Sequence, residues 1–453
     1  MRFSDMENSR VGIIGAGREG QAVWRQVRRR FPGKPLSLFS ESPISEAFQK
    51  QLDPALDAFH SGPLDVNTLK DFDLLVRSAG VSIYRDELIE LRTLGVPFTT
   101  ASNLWFAENP KARTICISGT LGKSTTAKLT AHLLKQAGLR TCLAGNIGRP
   151  MLDCENEAVD WWVIELSSYQ IADLEAKPDI ALLLNFSEEH LDWHRGIENY
   201  RADKLRLAQL ASNGRVIANF SDEVLKQGLK NDPGITWFNM IGHWQAGKDF
   251  VYRQMRQSDP PGLVHSQVCG PASLPGAHNM QNLAAALTVV QVLDLQIPRL
   301  HEALFSFSGL PHRLQFVGEK SGVIYINDSI STTPVSVMAA LQTFNNDGVV
   351  LLLGGMDRGL DWSDFARRML EQAPYAIVAL PDNGPGIIGK LKAAGVRPEG
   401  GFHTVTGLKE AVLQAEKLVP ENGCILLSPG APSFPHFRDF EDRGEQFRKF
   451  SGF

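Results

Sequence analysis

Gly119-Thr120-Leu121-Gly122-Lys123-Ser124-Thr125 combines residue types that can hold a polyphosphate. Glycines that end a strand and open a helix turn backbone N–H groups and the positive end of the helix dipole toward an anion. Lys123 can then reach the terminal phosphates, and the hydroxyl of Ser124 or Thr125 can face Mg²⁺. The longer pattern G-x-x-x-x-G-K-[ST] is not met, because Ile117 stands where its first glycine belongs; the shorter G-T-x-G-K-S-T is complete. The alternative is a plain glycine turn before a helix with an exposed lysine.

Other residues could join this chemistry. Gly15-Ala16-Gly17-Arg18-Glu19-Gly20 reads G-x-G-x-x-G between a strand and a helix, which is either a rest for a nucleotide diphosphate or a structural turn. A dinucleotide site would favour an acid at the end of the next strand, and Ser40-Glu41 offers one out of position. Glu165 ends the apolar run from Trp161, where P-loop enzymes place a Mg²⁺ ligand. Asn185 to His194 is a polar cluster just after a strand. Taken alone, His190 reads as a satisfied histidine and Lys204 as part of a solvated helix face.

These residues need strands and helices to place them. Val11–Ile14, Leu36–Phe39, Leu74–Val76 and Val96–Phe98 read as strands of a first α/β unit, residues 1–108. Thr114–Ile117, a strand running into the glycine loop 145–148, Trp161–Glu165 and Ile180–Leu184 read as strands of a second, residues 109–309. Its helices run through Leu129, Leu133 and Leu134, open at Tyr200–Leu205, and follow Gly276. Val323–Ile326, Val349–Leu353, Ile377–Leu380 and Cys424–Leu427 give a third, residues 310–453. The fold class is α/β throughout.

Composition sets the outer bounds. At 453 residues the chain exceeds one ordinary core, and 43% hydrophobic with 21% charged residues suits a globular protein. A net charge of −4 argues against a nucleic-acid backbone as the main partner. Five cysteines without a C-x-x-C pair point to a reducing compartment and to core packing. The charged N-terminus lacks the apolar core of a signal peptide, and no apolar run approaches the ~18 residues of a membrane span. The expectation is a cytoplasmic protein with small-molecule ligands, no membrane contact and no nucleic acid.

Taken together, the order of motifs resembles the Mur ligase family of ATP-dependent peptidoglycan-precursor enzymes, and most closely the UDP-N-acetylmuramoyl-L-alanine:glutamate ligases. The pieces that carry the resemblance run from Gly15 to Phe447: Gly119 to Thr125, Gly145 to Gly148, Glu165 to Gln170, Tyr200 to Leu205, His278-Asn279, Gly309 to Arg313 and Asn327-Asp328-Ser329. The resemblance implies a Rossmann-like N-terminal domain, a central P-loop ATPase domain and a Rossmann-like C-terminal domain. It implies that ATP activates a carboxylate as an acyl phosphate, which an amino acid's amine then attacks. Lys123, His190 and Lys204 would be catalytic, with Gly119, Thr120, Leu121, Gly122, Lys123, Ser124 and Thr125 on the ATP phosphates. Asn279, Arg313 and Asp328 would meet the adenine, phosphates and ribose. Two Mg²⁺ ions would sit among Ser124, Glu165, His190 and a carbamylated Lys204. An unmodified ammonium there would be repelled, whereas CO₂ addition makes an oxygen anion. Gly17 and Arg18 would take UDP, with Ser40 standing where the family often has an aspartate for the uracil. Asn146 and Ser167 would hold the muramoyl-alanine part. The protein would act as a monomer.

Two features bear on the amino acid. The resemblance puts Thr332, Arg358, Ser433 and Phe440 at a glutamate site. Enzymes that add D-glutamate read Asn-Asp-Ser-Lys-Ala-Thr-Asn and place a lysine after the next Gly-Gly. Here Ile330 removes the first cation, and Arg358 substitutes a planar fork for a compact ammonium. These departures look like the smaller branch that adds L-glutamate and relies on a separate epimerase; the alternative is a D-glutamate enzyme with Arg358 replacing the lysine. More remote readings are a folylpolyglutamate synthetase-like ligase, a dinucleotide oxidoreductase and a non-catalytic ATP-binding protein.

Overall fold

A computed structural model describes residues 1–154, 158–211, 214–253, 266–270, 274, 276–344 and 348–453. The chain gathers into two compact units, residues 1–268 with 281–303, and residues 269–280 with 304–453.

The first unit holds two parallel sheets. β1 (Val11–Ile14), β2 (Leu36–Ser40), β3 (Asp57–Ser61), β4 (Leu74–Arg77) and β5 (Phe98–Thr100) lie in the order β3-β2-β1-β4-β5, a doubly wound arrangement. β5 starts two residues later than the Val96–Phe98 reading. Pro97 has no N–H for a ladder, and its carbonyl instead accepts from Leu75 N at the strand's head. β6 (Thr114–Ser118), β7 (Thr141–Gly145), β8 (Trp161–Glu165), β9 (Ile180–Leu183), β10 (Arg215–Asn219) and β11 (Ile235–Phe238) lie in the order β11-β10-β9-β6-β8-β7. β6, β8 and β9 are buried along their whole length, as befits central strands covered on both faces. Three short strands, β12 (Trp244–Ala246), β13 (Phe250–Arg253) and β14 (Ser266–Cys269), form a separate sheet.

In the second unit β15 (Gln315–Lys320), β16 (Val323–Asn327), β17 (Val349–Leu353), β18 (Ala376–Ala379), β19 (Phe402–Thr404) and β20 (Cys424–Leu427) lie in the order β15-β16-β20-β17-β18-β19. Only β15 runs antiparallel to its neighbour. Apolar side chains fill both faces of this sheet. Cys116, Cys142 and Cys424 are buried, in line with a packing role. Among the described residues no helix is long and apolar enough to cross a membrane.

The two sheets of the first unit share one apolar core, in which Trp105 packs edge-on against Trp162 with centroids 4.8 Å apart. Arg77, at the end of β4, fastens them. It is wholly buried and makes a paired contact with Asp173, Nε to Oδ2 at 2.9 Å and a terminal nitrogen to Oδ1 at 2.6 Å. Its other donors reach the carbonyls of Ser78, Ala79, Val81 and Tyr169. One guanidinium therefore fixes the loop after β4 against the segment after β8. Arg77→Met removes the buried cation from Asp173, leaving it only Arg92 at 3.9 Å, and withdraws a donor from four carbonyls, so a loss on the order of 3 kcal/mol is expected. The urea midpoint of the first unit's transition measures it; an unchanged midpoint would contradict the role assigned to Arg77.

Candidate active site

Parallel sheets present their ligand-binding loops at the carboxyl ends of the strands. Strands β9, β6, β8 and β7 are consecutive neighbours, so the loops that follow them meet at one edge. β6 delivers Gly119 to Lys123, β7 delivers Asn146, β8 delivers Glu165 and Ser167, and β9 delivers Asn185 to His190. In the other sheet β1 and β4 are adjacent, delivering Gly17 and Arg18 beside Ser78 to Gly80. A cavity of about 290 Å³ is lined by Gly17, Arg18, Lys123, Asn146, Ser167 and His190, among others. Six candidates chosen from separate stretches of sequence thus face one space.

The P-loop has the backbone its sequence calls for. Gly122, the residue before the helix Lys123–Gln136, has φ +81°, and a Cβ there would overlap the Asn282 side-chain oxygen. The same oxygen accepts from Thr126 Oγ1 at 3.1 Å. Lys123 Nζ folds back onto the carbonyls of Gly119 and Thr120, at 2.9 and 2.8 Å. The N–H groups of Thr120 and Leu121 both donate to Asn185 Oδ1, at 3.0 and 2.8 Å. Asn185 therefore supplies an acceptor for two N–H groups of the loop that would otherwise cradle an anion. Of the two hydroxyls considered for Mg²⁺, Ser124 is partly open and Thr125 is buried.

The glycines 15, 17 and 20 divide between the two readings. Gly15 has φ +92°, and a Cβ on Gly20 would overlap the Gly15 carbonyl, so both shape the turn. Gly17 has nothing within 4 Å of its Cβ position and lines the cavity, so it alone keeps its backbone open to a ligand. Glu41 is paired with Arg85 at 2.8 and 2.7 Å, and Ser40 Oγ donates to the Ser42 carbonyl.

Glu165 is almost wholly buried; Oε1 accepts from Asn146 Nδ2 at 2.8 Å, while Oε2 is buried with no hydrogen-bond partner. An uncompensated carboxylate oxygen in a protein interior is costly, and a divalent cation satisfies it. Among the described residues no group of three or more His, Cys, Asp or Glu is arranged to hold a metal. Mg²⁺ commonly takes only one or two carboxylates and completes its shell with water and phosphate oxygens, so Glu165 and the open Ser124 hydroxyl fit that ion. His190, in the left-handed region at φ +58°, is half-exposed with Nε2 3.5 Å from the Glu189 carboxylate.

Lys204 departs from the solvated helix face that it suggests in isolation. Its helix begins at Ile197, three residues before the Tyr200 start read from sequence. Its side chain is buried, and Nζ donates to Thr120 Oγ1 at 2.8 Å and Tyr200 Oη at 2.6 Å. Burial, helped by the charge of Lys123, pushes this amine down to about 7, against the opposing pull of Glu189 and Asp222. Glu189 acts likewise on His190 and Tyr200, a central role that its place in an acidic pair did not announce.

The second unit holds the other candidates. Asp328 is buried; Oδ1 accepts from Leu314 N at 3.1 Å, and Oδ2 from the hydroxyls of Ser331 and Ser428. Burial raises this carboxyl to about 6 despite those donors. Both of its oxygens accept hydrogen bonds from within the unit. Asn279 is buried, whereas Arg313 has a buried Nε without a partner, and its charge adds to burial in holding His278 low. Thr332, Arg358 and Ser433 lie on loops after β16, β17 and β20, which are neighbours in the order β16-β20-β17. Gly354 N donates to the Pro429 carbonyl, tying two of these loops together. Phe440 opens the helix Phe440–Phe450, and its carbonyl accepts from Ser329 Oγ at 2.8 Å. Arg443, one turn on and wholly buried, donates to Ser329 O at 2.7 Å and Ala431 O at 3.0 Å. Burial lowers its guanidinium to about 10. Nothing local in the sequence marks Arg443 as the tie between these loops.

A family model described as the Mur ligase middle domain matches residues 117–290, and another described as Mur ligase, glutamate ligase domain, matches residues 312–430. The chain is 40% identical to the UDP-N-acetylmuramoyl-L-alanine--L-glutamate ligase of Xanthomonas euvesicatoria, over 100% of this chain and 97% of the relative. It is 39% identical, with the same coverage, to the protein of that name in Xylella fastidiosa. In fold it is similar to the UDP-N-acetylmuramate-alanine ligase of Thermotoga maritima, with TM-score 0.57 and 18% identity over 98% of this chain and 99% of that one.

The amine of Lys204 offers a test independent of turnover. Its folded value near 7 lies below the ordinary 10.5, so the unfolded chain binds more protons between those limits and stability must rise with pH across that window. Below pH 7 the full cost of burying the ammonium is present. In CO₂-free buffer, Lys204→Met is therefore expected to be more stable than the parent at pH 6, with the advantage shrinking toward pH 10. Denaturant midpoints across that range measure it; a constant difference would contradict the burial argument.

Proposed function

The chain belongs to the Mur ligase family, and from that premise we infer that it joins glutamate to UDP-N-acetylmuramoyl-L-alanine, with conversion of ATP to ADP and phosphate. The observation that carries this reading is the cavity in which the P-loop lysine meets Gly17 and Arg18 from one sheet and Asn146, Ser167 and His190 from the other. On this reading residues 1–108 bind UDP, residues 109–309 bind ATP and residues 310–453 bind glutamate.

A carboxylate is a poor electrophile. Transfer of the γ-phosphoryl group makes an acyl phosphate, the glutamate amine adds to its carbonyl carbon, and phosphate leaves as the amide forms. Negative charge spreads over phosphate oxygens in the first step, and Lys123 with the P-loop N–H groups is placed to stabilise it. For those donors to act, Lys123 must leave the carbonyls of Gly119 and Thr120, and Asn185 must yield two N–H groups. Glu165, Ser124 and His190 would hold Mg²⁺, which when bound would supply neutralisation of phosphate charge. Asn146 and Ser167 orient the muramoyl-alanine end.

Lys204 serves as a carbamate. With its amine near 7, a substantial share is neutral at physiological pH, and the Nζ lone pair can add to the carbon of CO₂ with loss of one proton to solvent. The product is an anion beside the P-loop, able to receive a second Mg²⁺. The burial of Nζ between two hydroxyls, without a carboxylate among its hydrogen-bond partners, supports this reading.

L-glutamate is the substrate. The relatives are named for L-glutamate, and Ile330 with Arg358 alters both cations of the D-glutamate pattern. A separate epimerase then completes the pathway. The protein works as a cytoplasmic monomer.

Phosphate release from ATP is expected only when UDP-N-acetylmuramoyl-L-alanine and glutamate are both present, and with L-glutamate in preference to D-glutamate. A clear preference for the D enantiomer would overturn the stereochemical reading and leave the ligase reading intact. Lys123→Ala is expected to lower turnover by at least ~10²-fold; near-normal turnover would contradict the P-loop assignment.

A further inference from the structure

Behind the cavity wall lies a buried polar chain that the ligase reading does not use. His194 is completely buried, with Nδ1 2.7 Å from Asp203 Oδ2 and Nε2 2.9 Å from Ser168 Oγ. Tyr84, from the segment after β4, donates its hydroxyl to both Asp203 oxygens at 3.0 Å. A carboxylate faces Nδ1, so that nitrogen carries a proton, and Nε2 shares a hydrogen bond with the serine hydroxyl.

Serine, histidine and aspartate in this order have the spacing of a hydrolytic triad. The surroundings exclude that use. Ser168 is buried, and the cavity is lined by Ser167 and Tyr169 on either side of it but not by Ser168 itself. The serine oxygen faces the imidazole.

Each member instead neighbours a residue of the proposed site. Ser168 follows Ser167, and Asp203 precedes Lys204. His194 ends the single turn Leu191–His194, and its N–H donates to the His190 carbonyl at 3.2 Å. The next residue back, Trp193, stacks on Tyr169 with centroids 4.3 Å apart, and its indole N–H donates to the Gly80 carbonyl at 3.2 Å. The segment after β8 and two successive segments after β9 are thereby fixed to one imidazole, and Tyr84, bonded to Asp203, ties them to the other sheet.

We propose that Tyr84, Asp203, His194 and Ser168 form a positioning relay that holds Lys204 in register with Thr120 and Tyr200, the geometry in which its carbamate forms and persists. The proposal rests on the carbamate reading of Lys204 given above. Lys204 has no carboxylate hydrogen-bonded to it, so its placement depends on two hydroxyls and on the rigidity of its helix. Asp203 pins that helix one residue earlier. Outer partners of ligand residues typically carry about 10–100-fold in affinity or activity.

The test uses the full chain and carbon-13 bicarbonate. His194→Phe keeps an aromatic ring among Trp193, Tyr169 and Tyr200 but removes both hydrogen bonds; Tyr84→Phe removes one hydroxyl. Carbon-13 NMR reads the lysine carbamate, with Lys204→Ala as the blank. In His194→Phe the carbamate resonance is expected to weaken and kcat to fall by about 10–100-fold, with KM for ATP unchanged and kcat recovering as bicarbonate is raised. Tyr84→Phe is expected to shift the same quantities in the same direction by less. A full-strength resonance in folded His194→Phe overturns the relay whatever happens to kcat. If His194→Phe does not fold, the same reading on Tyr84→Phe decides. Absence of the resonance from the parent protein would instead remove the carbamate reading, and the relay's purpose with it.

Discussion

An ammonium placed in a protein interior between two neutral hydroxyls is poorly compensated, and Lys204 is so placed. Its two hydrogen-bond partners, Thr120 and Tyr200, belong to the P-loop and to its own helix one turn earlier. The hydroxyls also contact each other at 3.0 Å, and Thr120 Oγ1 accepts from Ser187 N at 3.0 Å. The P-loop, the loop after β9 and the helix Ile197–Leu210 therefore meet at one amine. Low dielectric and the nearby charge of Lys123 drive that amine toward its neutral form, the form that can become an anion by taking up CO₂. On the carbamate reading proposed above, a poorly placed cation becomes a means of making a ligand for one.

Convergence at this point follows from strand order more than from local sequence. β6 lies between β9 and β8, with β7 beyond, so residues from 119 to 190 reach a common edge although the chain passes through four strands to make them. β1 and β4 do the same in the neighbouring sheet, and Arg77 holds the two edges together from within. Lys123 and Asn185 show a loop whose own groups serve one another, with side-chain oxygens and carbonyls standing where phosphate oxygens would draw the same donors.

What was legible in the sequence was whatever is enforced locally. The P-loop glycine, the uninterrupted apolar strands β6, β8, β17 and β20, and the acid at the end of β8 all stood out, because burial on both faces leaves a continuous apolar run. The edge strands β3, β15 and β19 did not. Asp57 to Ser61 is mostly exposed, and β15 and β19 are half-open, so neither a run nor a clean alternation marks them. The N-terminal glycines were legible as a turn, but not which of them faces a ligand, since that depends on Ser78 and the neighbouring strand. Residues whose roles rest on distant partners were invisible in the same way. Arg77 with Asp173, Asn185 with the P-loop, and Arg443 with Ser329 are joined only by the fold.

The central claim is that the cavity of the first unit brings a carboxylate and the γ-phosphate of ATP together so that the carboxylate itself is phosphorylated. One oxygen of that carboxylate must then leave with the phosphate when the amide forms. Turnover with oxygen-18 in the carboxylate of UDP-N-acetylmuramoyl-L-alanine, followed by mass analysis of the released phosphate, measures this directly. The account requires one labelled oxygen in each phosphate formed. Unlabelled phosphate, with amide product accumulating normally, would contradict it.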